Sequence, residues 1–337
     1  MNREPKIAAK SGTRVWRGPD VVGKDDWTIL LPTNAIADLE RAVESERASG
    51  HDSLSVDFDC HDLPSLRPVA RDAQAALSDG YGFCIVRGFP VERYSVDDLK
   101  MMLLIFGKHV GLVASQDNRA RSIGEVMDTG SGMPKDFYFQ RGGPLPMHMD
   151  PVDVVGLLCV RKAKRGGESC IASSMAVHNE ILRDRPDLLQ LLYRGFPHLR
   201  RHAPEDRSKS EKAVTDFSVP VFADIGGGET VCSFIPETAL AAERAGLLRL
   251  SDLEHEAIEY MERVATRDDI VFPMDLRPGD LQLLNNRSIL HSRFDYEDHP
   301  EQERRRLMLR LWLTIPGWQK LPMNIPHLDV EQGRRPA

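Results

Sequence analysis

A mainly β core with flanking helices is predicted by three features of this chain. Two apolar runs, Phe83-Cys84-Ile85-Val86 and Val154 to Val160, are rich in strand formers and too short for typical helices. Near the C-terminus, Leu307, Leu309, Leu311 and Leu313 alternate with Arg306, Met308, Arg310 and Trp312. That is the period-two pattern of a strand with an apolar back and a charged front. Between these runs lie stretches whose apolar residues recur at helical spacing.

In chain order, residues 1–65 mix Pro, Gly and charged residues around one helical stretch, 34–48, where Ile36, Leu39 and Val43 share a face. They read as an outer layer of a single domain whose core is 66–337. A helix is expected from Pro68 to Leu77, with its proline in the first turn and its end near Asp79-Gly80. The run 82–88 follows as a buried strand. Ser95 caps the next helix, which runs to Phe106 with Val96, Leu99, Met102 and Leu103 as its stripe. After the polar segment Ser115-Gln116-Asp117-Asn118, the run at 154–160 is a second core strand. From Pro186 to Glu229 the chain turns polar, and 186–247 reads as an insertion; a mobile lid and a solvated surface excursion both fit its composition. Helical spacing resumes from Leu248 to Val264. Pro278-Gly279-Asp280 is a turn leading into the strand Leu281 to Asn286.

Composition narrows the function. With 337 residues, 41% of them apolar, the chain can bury a substantial core. A formal charge of -7 argues against a nucleic-acid-binding face, which needs concentrated positive charge, and a small-molecule substrate is the better expectation. Cys60, Cys84, Cys159, Cys170 and Cys232 are odd in number and contain no C-x-x-C pair, so neither a disulfide framework nor a zinc knuckle is implied. No apolar run approaches a membrane span and no signal-type leader is evident, so a cytoplasmic protein is expected. Self-association into a homo-oligomer is compatible with the sequence and not fixed by it.

Chemistry enters at Met147-His148-Met149-Asp150. On a strand, His148 and Asp150 would point to the same side about 6–7 Å apart along the backbone, within reach of one cation. The pair is a weak signal alone. It gains weight from His291, in Ser288-Ile289-Leu290-His291-Ser292-Arg293, because two imidazoles and one carboxylate form the facial set that leaves open positions on a non-haem Fe(II) ion. Arg306 points from its strand towards the polar side, and a buried guanidinium needs an anion, so an acidic ligand is implied. Arg310, about 13 Å further along the strand, need not grip the same group. Arg304 and Arg305 read as a solvated run beside Glu301 and Glu303. His178, His198, His202 and His299 lack partners at ligand spacing, and Trp16, Trp27 and Trp318 read as core or interface anchors.

Taken together, H-x-D at His148 and Asp150, the distal His291, and Arg305-Arg306-Leu307-Met308-Leu309-Arg310 resemble the taurine dioxygenase-like (TauD/TfdA) family of Fe(II)- and 2-oxoglutarate-dependent oxygenases. The resemblance runs roughly from Gly82 to Trp312. It implies a double-stranded β-helix, a jelly roll of the clavaminate synthase-like kind, with the metal at its open end. It implies Fe(II) as cofactor, with 2-oxoglutarate and O2 as co-substrates. Arg306 would pair with the distal carboxylate of 2-oxoglutarate, and Ser169, in Gly166-Gly167-Glu168-Ser169, falls where relatives place a hydroxyl on the same carboxylate. Arg310 matches a position that in some relatives meets an acidic group of the substrate, while Gln116 is placed near the site by position alone. The reaction implied is oxidation of a C–H bond, with release of succinate and CO2, in an amino acid derivative or other acid. Hydroxylation is the expectation, with desaturation or ring formation as the alternative; retention of Asp150 argues against halogenation. Two readings of other classes compete: a zinc hydrolase built on the same ligands and a non-catalytic jelly-roll module with a structural metal. Neither has a use for a dicarboxylate clamp at Arg306.

Overall fold

The computed structural model describes residues 7–51, 61–116, 122–129, 142–200 and 213–327. Two sheets face each other. The larger has seven strands, in the order Thr28–Leu30, Phe83–Arg87, Asp280–Asn285, Val154–Arg161, Leu307–Thr314 and Leu112–Val113, with Ile123–Val126 also pairing to Leu307–Thr314. The smaller runs Phe272–Met274, Ser169–Ser173, Ile289–Arg293 and Leu145–His148. Within each sheet, neighbours are antiparallel except for Thr28–Leu30, which lies parallel to Phe83–Arg87.

Side-chain alternation explains the layers. Leu307, Leu309, Leu311 and Leu313 turn to one side of the large sheet, with Cys84, Val86, Leu158, Leu281 and Leu283. There they meet the helices Thr33–Ala48, Arg67–Ser78 and Val96–Val110, which contribute Leu39, Ala73, Leu77, Leu99 and Phe106. Met308 and Trp312, on the opposite face, pack with Val155, Leu284, Ile171, Ile289 and Phe272 between the sheets. The outer face of the small sheet carries Met147, Cys170, Ala172 and Leu290 against the helices Ser174–Asp184, Pro186–Arg194 and Asp252–Ala265. The result is a four-layer arrangement with the sandwich enclosed by helices.

Local signals set the element ends. Ser95 accepts a hydrogen bond from the Asp98 N–H at 3.2 Å while the Asp98 carboxylate accepts from the Ser95 N–H, a reciprocal cap. Ser251 and Glu254 repeat it, so the last long helix starts at Asp252 rather than at Leu248. The expectation of a mainly β chain is modified, because the described helices hold more residues than the strands. A sandwich with two apolar outer faces needs helices on both. Of the stretch 186–247, residues 201–212 lie outside the described residues. The remainder forms the Pro186–Arg194 and Pro236–Arg244 helices and the hairpin Phe222–Gly226 with Glu229–Cys232, and sends Leu188, Leu192, Phe222 and Ala239 into the core behind the small sheet. Cys84, Cys159, Cys170 and Cys232 are buried free thiols, and Cys60 lies outside the described residues. No described helix is long and apolar enough to cross a membrane.

Leu309 is fully buried between the large sheet and its helices. Leu309→Ala should lower the unfolding free energy by about 2–5 kcal/mol, read by denaturant titration. A loss below about 1 kcal/mol would mean that this layer collapses around the gap.

Candidate metal centre and anion pocket

His148, Asp150 and His291 converge at one end of the sandwich, each offering a ligand atom, and these atoms lie within 4.8 Å of one another. His148 ends the strand Leu145–His148 and pairs directly with His291 across the sheet, bringing their ring centroids to 4.3 Å. The expectation that His148 and Asp150 share a strand is corrected here, since the strand stops at His148 and Asp150 lies in the bend beyond it. Val152 N–H donates to the Asp150 carbonyl at 2.8 Å, and that bend turns the carboxylate back towards the imidazoles. Behind the strand, Met147 N–H donates to Glu262 Oε1 at 3.0 Å.

Each of the three side chains has surroundings compatible with holding a cation. His148 Nδ1 lies 2.9 Å from the Pro146 carbonyl, which can only accept, so Nδ1 carries the hydrogen and Nε2 keeps its lone pair. Burial, reinforced by repulsion from His148, pushes the His291 imidazole down to about 3 and keeps it neutral. Burial acts on Asp150 in the opposite sense, raising it, but Arg310, the two imidazoles and the Trp312 N–H outweigh burial and hold the carboxyl below the usual range. Trp312 Nε1 donates to Asp150 Oδ2 at 3.0 Å, and Arg310 Nη1 lies 3.5 Å from the same oxygen.

The two residues assigned to the substrate side meet each other at this carboxylate. Arg310 Nε donates to Gln116 Oε1 at 2.9 Å, while Gln116 Nε2 donates to the Arg310 carbonyl at 2.6 Å and to the Ser122 carbonyl at 3.0 Å. Gln116 therefore fixes the direction of the guanidinium. Asp117 and Asn118 lie outside the described residues.

Arg306 and Ser169 line one cleft together with Gly167, Leu276 and Met308. Arg306 is only 5% exposed, its Nη1 has no hydrogen-bond partner among the described residues, and its guanidinium lies over the Tyr296 ring at 5.5 Å. Burial and the charge of Arg293 push it down to about 10, still a cation at neutral pH. Its approach requires Gly167, with φ +76°, where a Cβ would stand 3.2 Å from Arg306 Nε. Ser169 Oγ donates to Gln282 Oε1 at 3.1 Å, and the Gln282 amide nitrogen faces the Met274 sulfur, a weak acceptor. Rotating that amide by 180° would let Gln282 donate to Ser169 and free the hydroxyl hydrogen for a carboxylate.

Sequence reasoning did not single out Trp312, Tyr296 or Gln282, and it sets Asp153 aside, since on a continuing strand that side chain would face away from Asp150. Trp312 was legible in principle, because it shares the polar face of the 307–313 alternation with both arginines. Trp312→Phe should weaken Co(II) binding about 10-fold, as expected when a ligand loses its outer partner, with the fold retained. Equal affinity in a titration followed by the Co(II) visible bands would show that the Trp312 hydrogen bond is not needed to orient Asp150.

The model of the family described as "Taurine catabolism dioxygenase TauD, TfdA family" matches residues 44–312. FR-33289 synthase of Streptomyces rubellomurinus is 25% identical over 323 residues, spanning 94% of this chain and 93% of the relative. Taurine hydroxylase-like protein SAT17 of Stachybotrys chartarum is 24% identical over 351 residues, spanning 97% and 88%. Among solved structures, an asparagine oxygenase in complex with Fe(II), 3-hydroxyasparagine and succinate superposes with a TM-score of 0.63 at 14% identity, covering 86% of this chain and 93% of that one. The non-haem iron oxygenase OrfP, in complex with Fe and α-ketoglutaric acid, gives 0.59 at 12% identity, covering 85% and 93%. These superpositions establish the shared jelly-roll architecture. The chain belongs to the taurine catabolism dioxygenase TauD, TfdA family, and with it to the 2-oxoglutarate-dependent non-haem iron dioxygenases.

Proposed function

We propose that this protein binds Fe(II) through His148, Asp150 and His291 and uses 2-oxoglutarate and O2 to hydroxylate an unactivated C–H bond of a small acidic molecule, releasing succinate and CO2. The observation that carries the reading is the pairing of two features: a ligand triad within 4.8 Å and, in the same sandwich, a buried guanidinium with an unpartnered Nη1. A buried cation that forms no direct ion pair is unfavourable by several kcal/mol, and a carboxylate would relieve it with charge-assisted hydrogen bonds.

When bound, the iron would supply oxygen activation. The protein's own share is placement. Arg306 and Ser169 would hold the distal carboxylate of the co-substrate and so aim its 2-oxo acid end at the triad. Trp312 and Arg310 keep Asp150 ionised and turned towards the imidazoles. With Nε on Gln116 and Nη1 beside Asp150, Arg310 places positive charge next to the triad, which supports an anionic substrate group nearby. The solved relatives with hydroxyasparagine and hydroxyarginine bound support amino acids and their derivatives as the first class to examine.

The test is substrate-dependent release of succinate with matched O2 consumption across a panel of amino acids and acidic derivatives, in air and under nitrogen. Stoichiometric succinate and O2 loss would support the reading. Turnover that continues without oxygen would favour hydrolysis and overturn it.

A further inference from the structure

Asp153 lies three residues beyond the metal ligand Asp150 and is 3% exposed. Its carboxylate joins three separate parts of the chain. Oδ1 accepts from Arg287 Nε at 2.7 Å, lies 2.6 Å from Arg287 Nη2, and stands 2.9 Å from His327 Nε2. Oδ2 accepts from the Ile315 N–H at 2.8 Å, directly after the strand Leu307–Thr314, which carries Arg310 and Trp312 and which Arg306 immediately precedes. The backbone adds to this. Asn286 N–H donates to the Asp153 carbonyl at 2.8 Å, and Asn286 Nδ2 donates to the Asp150 carbonyl. Residues 285–288 lead straight into the strand of His291.

The segment after the last strand completes the arrangement. Arg287 Nη1 donates to the Gln319 carbonyl, its guanidinium covers the Trp318 ring at 5.2 Å, and His327 is 6% exposed beside Asp153. Residues 315–327 therefore close over the back of the Asp150 bend. Without them, one side of a buried carboxylate would be left to Arg287 alone. Because Asp150 sits in a bend rather than on a strand, no sheet ladder fixes its direction. The hydrogen bonds from Asn286 and through Asp153 take that part.

We propose that Asp153, Arg287 and His327 form a positioning clamp through which the chain segment following the last strand holds Asp150 against His291. None of the three touches the metal ligands' side chains; they act through the backbone of 150–153 and 286–287. The proposal rests on reading the triad as a metal site, and the experiment separates the two. Co(II) is titrated anaerobically into wild type, His327→Ala and His327→Gln, at a temperature where all three are folded, with thermal unfolding recorded in parallel. The expected result is Co(II) binding by wild type, a dissociation constant about 10-fold higher in His327→Ala with altered visible bands, and recovery in His327→Gln, whose amide can donate to Asp153. A lower melting temperature in His327→Ala with Co(II) affinity within two-fold of wild type would overturn the clamp and leave a purely structural contact. Failure of wild type to bind Co(II) would overturn the metal reading and the clamp with it. Asp153→Asn supplies the second variant, since it keeps the shape and removes the charge shared by Arg287 and His327. It should weaken Co(II) binding at least as much as His327→Ala, and wild-type affinity in folded Asp153→Asn would count against the clamp.

Discussion

Asp150→Ala is expected to abolish productive Fe(II) binding while leaving the sandwich folded. His148 and His291 would remain 4.3 Å apart between ring centroids, but two neutral imidazoles supply no charge and leave the facial set incomplete. The loss in metal affinity should exceed the roughly 10- to 100-fold typical of removing a ligand's outer hydrogen-bond partner. Asp150→Asn separates two contributions. It keeps a Trp312 acceptor and the side-chain volume but removes the negative charge facing Arg310. Metal affinity near that of Asp150→Ala would place the effect in charge, whereas affinity near wild type would place it in geometry. The metal-free protein carries a matching pH signature. The folded-state carboxyl is held below its unfolded range, so ionised Asp150 contributes stability that is fully present above that range and is lost as pH falls from there through the lower folded-state value. The stability gap between wild type and Asp150→Asn should therefore narrow on acidification, as read from urea midpoints between pH 7 and pH 3. A gap that widens would mean that Asp150 is strained rather than stabilised in the metal-free site.

The triad was legible because ligand chemistry admits few residue types and because His148 and Asp150 are close in sequence. The 307–313 alternation placed Arg306 and Arg310 on the inner face, and the capping serines marked helix starts. What sequence did not reveal depends on partners brought together by topology. Asp280–Asn285 sits between Phe83–Arg87 and Val154–Arg161, a neighbourhood that no local period encodes. Asp153 and Arg287 are 134 residues apart, and Gln116 and Arg310 are 194 apart. Asp153 on a continuing strand would simply have faced away from the triad; in the bend it becomes a buried acceptor for several donors. The direction of Asp150 likewise depends on a strand that ends at His148, two residues short of where alternation would carry it. Such endings depend on hydrogen bonds to distant chain, here from Asn286, as well as on the local bond from Val152 within the bend.

Arg306→Ala should raise the dissociation constant for 2-oxoglutarate by at least about 30-fold, with Fe(II) affinity unchanged. The lower bound follows from the roughly 2–5 kcal/mol lost when one partner of a buried, hydrogen-bonded charge pair is truncated. Taking 1.4 kcal/mol per tenfold, 2 kcal/mol is about 30-fold. Arg306→Lys should fall between the two, because an ammonium keeps the charge and loses the planar fork that engages both carboxylate oxygens. Ser169→Ala should cost less, since a neutral hydroxyl contributes about 1 kcal/mol and its present bond is to Gln282. Stability supplies an independent check on the same residue. Most truncations at 5% exposure destabilise a protein, but Arg306 is pushed down to about 10 by burial and by Arg293, so its charge is a liability until an anion arrives. The metal-free Arg306→Ala protein should therefore melt at or above the wild-type temperature, and 2-oxoglutarate should stabilise wild type far more than the variant. The measurement is an anaerobic titration of the Fe(II) protein, followed by the visible charge-transfer band of the co-substrate, alongside thermal melts with and without it. Wild-type affinity in Arg306→Ala would move the dicarboxylate clamp elsewhere, and Arg293, packed on the other contact to Tyr296 at 5.0 Å, would be the residue to substitute next.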